Sequence, residues 1–209
     1  MSAEAILADG SRALGLSLPR AALTQLVAFL ALMKKWNRVF NLTAVRDPVA
    51  MVSHHLLDSL AVIQHLPPGR LADIGSGAGL PGIPIAIAQP ERAVALNDAN
   101  EKKAAFLRQA VIELKLDNAQ VHAGRVESWK PAEPFDVVIC RGFSELREFV
   151  AACRHLLAPG GVLAAMKGTR PEKELARVPS WCDCHDVRRL NVPVLEAERH
   201  LVLCSVAGR

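Results

Sequence analysis

The sequence predicts an α/β fold: a mostly parallel, doubly wound sheet of seven strands with an antiparallel edge strand, preceded by an N-terminal helical extension. Three observations carry that expectation. From Leu71 onward, short apolar runs alternate with helical patterns. Most of those runs, such as "FDVVIC" and "GVLAAM", are apolar at successive positions, as strands covered on both faces require. The residues before them show helical periodicity and no such run.

Taken along the chain, "PRAALTQLVAFLALMKKWNRVF" opens with Pro19 and keeps apolar residues three and four apart, the spacing of an amphipathic helix. "DPVAMVSHHLLDSLAVIQHL" opens with Asp47 as cap and Pro48 in the first turn. "PPGR", Pro67 to Arg70, ends that helix and divides a helical extension, residues 1–66, from a core, residues 67–209. In the core, "LADIG", "AVALND", "AQVHAG", "FDVVICR" and "GVLAAMKG" read as strands. Between them "PGIPIAIAQ", "EKKAAFLRQAVIELKL" and "SELREFVAACRHLL" read as helices. No full crossover helix separates "CDCHDVRRLNVP" from "ERHLVLCSVAG", so these two strands pair and close the sheet as its antiparallel edge.

Composition bounds the function. With 51% hydrophobic and 22% charged residues, the 209-residue chain is cored rather than disordered. Aromatic residues make up only 4%, with no Tyr, which argues against a single-strand surface built on stacking. A net charge of +4 and a pI near 8.9 allow a polyanionic partner without demanding one. No apolar run approaches the ~18 residues of a membrane span, and no secretory signal pattern opens the chain, so a cytoplasmic, monomeric protein is expected. Five cysteines (Cys140, Cys153, Cys182, Cys184, Cys204) lack paired zinc spacing; reduced thiols and no metal are the expectation.

The chemistry centres on "LADIGSGAGLPGIPIAIA", Leu71 to Ala88. A glycine-rich turn leaving the first strand of a doubly wound sheet lies at the ligand crevice, and a bare backbone lets a ligand approach closely. Gly77, Gly79 and Gly82 satisfy the dinucleotide spacing G-x-G-x-x-G, but the turn begins at Gly75, and Pro81 and Pro84 oppose a long regular helix from Gly79. In the other register the loop is Asp73-x-Gly75-x-Gly77-x-Gly79, which resembles the first motif of class I S-adenosylmethionine-dependent methyltransferases, a Rossmann-like fold. Asp98 stands 19 residues after Gly79, where a carboxylate meets ribose hydroxyls in either kind of enzyme; its structural alternative is a helix cap ahead of Glu101. "FDVVICR" and "LLAPGGVLAAMKG" resemble the fourth strand and the turn into the fifth strand of the same superfamily, which favours S-adenosylmethionine over a nicotinamide.

A closer resemblance extends outside the loop. "WNRVFNLTAVRDPVAMVSHHLLDSL", "GSGAGLPGIPIAIA", "FLRQAVIELKL", "GRVES" and "CRGF" are similar to the bacterial 16S ribosomal RNA guanine-N7 methyltransferase family, RsmG, also called GidB. The likeness runs from about Leu32 to Gly168. It implies methyl transfer from S-adenosylmethionine to N7 of a guanine in the decoding-region loop of small-subunit ribosomal RNA, free or within the small subunit or its precursor, with no membrane or DNA partner. It further implies a cofactor pocket of Gly75, Ser76, Gly77, Gly79 and Leu80, with Asp98 on the ribose and Val126 and Glu127 flanking the adenine. Arg141 would stand beside cofactor and entering base, positioning both. Ala99-Asn100 replaces the Ser-Leu often seen after the acid, and Cys140 in "CRGF" stands where a serine is common.

N7 of guanine already carries an in-plane lone pair, so no general base is expected, and none suggests itself. Arg125 and Lys167 are RNA candidates as readily as solvated surface. Lys34, Lys35 and Arg38, with Arg46 nearby, form a basic stretch that is either an RNA contact or a solvated helix face. His55 and Asp58, three apart, are expected to tie the extension to the glycine loop or to meet substrate. Asn41 and Thr43 read as capping residues and Trp36 as a packed one.

Overall fold

The computed structural model describes residues 2–143 and 145–206. Two helices, α1 (Ala3–Ala13) and α2 (Arg20–Phe40), open the chain. A third helical segment follows in three pieces: α3 (Pro48–Met51), a π-helical stretch (Val52–Leu57) and α4 (Asp58–Leu60). Then come β1 (Leu71–Ile74), α5 (Gly82–Ala88), β2 (Val94–Asp98), α6 (Glu101–Glu113), β3 (Ala119–Ala123), β4 (Phe135–Arg141) and α7 (Leu146–Cys153). β5 (Leu157–Lys167), α8 (Glu172–Leu175), β6 (Cys182–Arg189) and β7 (His200–Val206) complete the order.

The seven strands lie in the order β3-β2-β1-β4-β5-β7-β6. Neighbours from β3 to β5 are parallel, and β7 runs antiparallel to both β5 and β6. The central strands β1 and β4 are covered on both faces, whereas the edge strand β6 leaves Asp183, His185 and Asp186 exposed. Val137 and Ile139 of β4 pack with α2, α5 and α6 in one cluster, while Val138 and Cys140 pack with Leu146, Phe149 and Cys153 of α7 in the other. The helices of the extension share the first cluster with the sheet: Leu26, Phe29 and Met33 are wholly buried with Ile83, Phe106 and Leu107. Trp36 is packed as expected, edge-on to Phe106 and stacked with Phe40.

Several boundaries depart from the sequence reading. Pro19 caps α2 rather than occupying its first turn, whereas Asp47 caps α3 as expected, its Oδ1 accepting from the Ala50 N–H at 2.7 Å. The "DPVAM…" helix is not a uniform α-helix, because the Asp58 N–H reaches the carbonyl of Ser53, five residues back. π turns of this kind gather at functional sites. The Pro-Gly-Gly segment is not a separate turn: β5 begins at Leu157 and carries it as a register shift opposite Phe135 and Val137, with Gly160 at φ +75°. The first residue of "SELREF", Ser144, and the last two of "ERHLVLCSVAG", Ala207 and Gly208, lie outside the described residues. The expectation of five reduced thiols is also corrected: Cys184 and Cys204, on adjacent strands, form a disulfide, and Cys140, Cys153 and Cys182 are free and buried. Pairing of β6 with β7 brings together two residues whose sequence separation of 20 gave no hint of contact.

Candidate functional site

The glycine loop joins β1 to α5 at the carboxyl end of the parallel strands, and its four glycines divide into two kinds. Gly75 (φ +66°), Gly77 (φ +57°) and Gly79 (φ +80°) adopt the left-handed conformation that side chains resist. A Cβ at Gly75 would meet nothing within 4 Å, and one at Gly77 only the Gly75 carbonyl at 3.7 Å. Those two positions lie open to a ligand. A Cβ at Gly79 would strike Ile83 at 2.4 Å, and one at Gly82 would strike Leu96 at 2.3 Å and the Asp73 carboxylate at 2.7 Å. The second pair is bare because the interior leaves no room.

Asp73 explains the acid ahead of the loop. Its Oδ2 accepts from the Gly82 N–H at 2.9 Å, fastening the far end of the loop to β1. Burial drives its pKa up to about 6, against the opposing pull of the Gly82 N–H. Oδ1 is buried without a hydrogen-bond partner. Ser76 donates inward to the Asp73 carbonyl at 3.0 Å, and its own carbonyl accepts from Gly79 and Leu80. The Leu80 side chain joins the core cluster. Ser76 and Leu80 therefore shape the loop, and the open backbone of Gly75 and Gly77 is its exposed face.

Asp98 ends β2, only 6% exposed. Its Oδ2 accepts from the Gly77 N–H at 2.9 Å and its Oδ1 from the Asn100 N–H at 2.8 Å. Each carboxylate oxygen has capacity for one further donor, such as a ribose hydroxyl. The cap of α6 is Asn100, whose Oδ1 accepts from Lys102 and Lys103. Val126 is buried at the start of a 3₁₀ turn, and the Glu127 carboxylate is held by Arg125 at 2.9 Å on the surface. The orphaned Asp73 oxygen, the open glycines and the spare capacity of Asp98 together fit a group that carries an amine and a ribose, as S-adenosylmethionine does.

Beside this loop a crevice of about 390 Å³ is lined by Asp58, Arg141, Gly142, Met166, Lys167, Gly168 and Arg199. At its centre is Asp58, with 3% of its side chain exposed, which receives two guanidiniums. Arg141 Nη1 donates to Asp58 Oδ2 at 3.1 Å and to the His54 carbonyl at 3.0 Å, and Arg199 Nε donates to Asp58 Oδ1 at 2.9 Å. Lys167 is held by Glu174 at 2.7 Å. Three cations thus meet two carboxylates, an excess of positive charge facing the crevice. Arg141 lies close enough to Asp73 to favour its ionised form, and close enough to His55 to oppose its protonation. Burial first, then Arg141, push His55 down to about 4, so it is neutral at pH 7 and shares a hydrogen bond with Thr43 Oγ1 at 2.9 Å.

Not every sequence candidate converges here. Asp58 ties the extension to Arg141, at the end of β4, and to Arg199, just before β7, rather than to the glycine loop, which corrects that one of the two expected roles. Asn41 ends α2 in the left-handed conformation, and Thr43 is clasped by Asn37 through two bonds of 2.9 Å. Lys34 and Arg38 line a separate hollow with Asn37, Val45, Arg46 and Met51, and Lys35 points elsewhere on the exposed surface of α2. Arg125 is exposed and paired with Glu127. Arg199 escaped the sequence reading because nothing local to it signals a partner on Asp58, 141 residues earlier.

The chain is similar to known proteins in sequence and in fold. The chain is 54% identical over 196 residues to the ribosomal RNA small subunit methyltransferase G of Methylobacillus flagellatus, covering 94% of this chain and 95% of that one. It is 50% identical over 210 residues to the protein of the same name from Nitrosospira multiformis, covering 97% of each. Among solved structures, the glycopeptide N-methyltransferase MtfA superposes with a TM-score of 0.58 at 15% identity, over 77% of this chain and all of that one (100%). An S-adenosylmethionine-dependent methyltransferase from Thiobacillus denitrificans, in complex with S-adenosyl-L-homocysteine, superposes with a TM-score of 0.51 at 11% identity, over 91% and 100% of the two chains. These likenesses speak to the fold. The model of the GidB family, described as rRNA small subunit methyltransferase G, matches residues 22–202, and with the relatives above it shows that the chain belongs to that family.

Proposed function

We propose that this protein transfers a methyl group from S-adenosylmethionine to N7 of a guanine in the decoding-region loop of 16S ribosomal RNA. The observation that carries the reading is that β1 and β4 are paired, Ile74 opposite Cys140, so that the open glycine loop and Arg141 of the cationic crevice leave neighbouring strand ends. S-adenosylmethionine supplies an electrophilic methyl group on a sulfonium. Gly75 and Gly77 would give it backbone contact and Asp98 would take its ribose, with Val126 and Glu127 beside the adenine, while the buried Asp73 would hold the loop in shape and supply negative charge behind the methionine portion.

In the crevice, Arg141 and Arg199 hold the base. N7 and O6 form an acceptor edge that arginine reads, but the N7 lone pair must be left free for the methyl group. The guanidiniums therefore grip O6 and the neighbouring phosphate. No side chain has to remove a proton, in keeping with a neutral His55 engaged with Thr43 and a carboxylate at Asp58 already occupied by two arginines. What the chain contributes is alignment, an effect that reaches roughly 7–11 kcal/mol in well-oriented reactions. Lys34, Arg38 and Arg46 offer a second row of cations for the RNA backbone, each phosphate contact steepening the salt dependence of binding. The reading extends to a monomer acting in the cytoplasm on the small subunit or its precursor; no helix among the described residues is long and apolar enough to cross a membrane.

The test is methyl transfer from labelled S-adenosylmethionine to unmodified 30S subunits, with the product mapped by cleavage selective for 7-methylguanosine. One labelled guanine in the decoding-region loop is expected. Cofactor binding without any RNA label would overturn the substrate assignment.

A further inference from the structure

Outside the site, the β6–β7 pair holds three sulfurs in one buried place. Cys184 and Cys204 are bonded, and Cys182 Sγ lies 3.7 Å from Cys184 Sγ. All three sit in the cluster beneath α7, at 7%, 4% and 1% exposure for Cys182, Cys184 and Cys204. Cys182 and Cys184 lie on β6, the sheet edge, whose register against β7 shifts between Asp183 and Asp186, where Cys184 sits. An edge strand with a bulge opens locally at low cost, which gives a small reductant a route to a bond the static fold covers.

The other end of the same pair reaches the crevice. Arg189 pairs with His200, and the Leu190 N–H donates to the Arg199 carbonyl at 2.8 Å, closing the loop that presents Arg199 to Asp58. The disulfide and that bond thus fasten opposite ends of one two-stranded arm. We propose that Cys184 and Cys204 form a reversible redox site, and that its closure holds the arm in the register that seats Arg199 on Asp58.

The chemistry balances with common cellular reagents. Two thiols and one hydrogen peroxide give the disulfide and two waters: one sulfur is oxidised to the sulfenic acid with loss of water, and the second thiol displaces the other water. In reverse, a dithiol reductant donates two electrons and two protons and leaves as its own disulfide. Cys182 does not scramble the pairing. Burial, with Asp183 beside it, pushes its thiol up to about 11, so it stays protonated and is a poor nucleophile at neutral pH.

Intact protein treated with peroxide, then denatured and alkylated, is expected to take up three labels, and five after dithiothreitol. Cys184→Ser and Cys204→Ser should abolish the difference, and Cys182→Ser should leave a difference of two. Closing a loop of this length is expected to raise Tm by roughly 6–12 °C. Amide exchange in residues 188–203 should speed up at least tenfold on reduction. Five labels after peroxide, or a bond that involves Cys182, would overturn the assignment of the site. A bond that forms without changing exchange at residues 199–203 would overturn its link to Arg199. The link rests on the methyl-transfer reading only for its meaning; labels and exchange need no substrate, so the two readings fail separately.

Discussion

Asp58→Asn is the most informative single change. The carboxylate is 3% exposed and accepts from two guanidiniums whose side chains are 26% and 22% exposed. Removing one charge from a buried ion pair costs about 3–5 kcal/mol because its partners are left without compensation. Here the arginines keep about a quarter of their surface, so water recovers part of that, leaving about 2–4 kcal/mol. In a chain of this size the expected fall in Tm is roughly 5–15 °C. The asparagine has one oxygen for two arginines and turns an N–H₂ toward one of them, so at least one guanidinium swings away. A displacement near 1 Å at a positioning group costs about 10²-fold, and kcat/KM for 30S methylation should drop by that order. Thermal melts and steady-state kinetics on the same preparation check both figures. Wild-type Tm together with wild-type kcat/KM would show that the Asp58 bridge does not organise the crevice.

The pH dependence of stability carries a second test, with two groups of opposite sign. Asp73, at about 6, binds its proton in the folded state before the unfolded chain does, so its contribution to stability is present below pH ~4 and is lost as pH rises through 6, by about 3 kcal/mol. His55, lowered to about 4, works the other way between pH ~4 and 6.5, so only the difference between wild type and Asp73→Asn isolates Asp73, and denaturant titrations at pH 4.5 and 7 must show that difference changing. Gly75→Ala should weaken S-adenosylmethionine binding at least tenfold by calorimetry while costing only the ~1–2 kcal/mol of a left-handed alanine, whereas Gly79→Ala should cost more stability because of Ile83; equal melting points would contradict the division of the glycines. Asn100→Ala should lose about 1 kcal/mol of helix capping with cofactor affinity intact, and Asp98→Ala should lose cofactor affinity at least tenfold; the reverse pattern would reassign the two residues.

The parallel strands were legible because burial on both faces leaves an unbroken apolar run such as "FDVVIC", and the cap at Asp47 because side-chain capping is local. The left-handed, bare backbone of the glycine loop was legible, but not the separate purposes of its glycines, since Ile83 and Leu96 meet Gly79 and Gly82 only once the helix and β2 are in place. Asp98 and Asn100 both read as polar residues at a strand end, and only the fold assigns the cap to Asn100. Arg199, the Cys184–Cys204 bond and the Lys167–Glu174 pair depend on contacts between segments brought together by the sheet. The π turn at Val52–Leu57 has no composition cue at all.

β7 enters the sheet between β5 and β6 although it follows both in sequence. The sheet therefore cannot be laid down in the order of synthesis. After β5 is made, its free edge must wait for some 40 residues before the strand that covers it exists, about 2–8 s at typical elongation rates. β6, made in that interval, has no neighbour to pair with, and two open β edges coexist on one nascent chain. During those seconds the chain depends on keeping Val162 to Lys167 from pairing with the wrong strand, and the crevice that needs Arg199 does not yet exist.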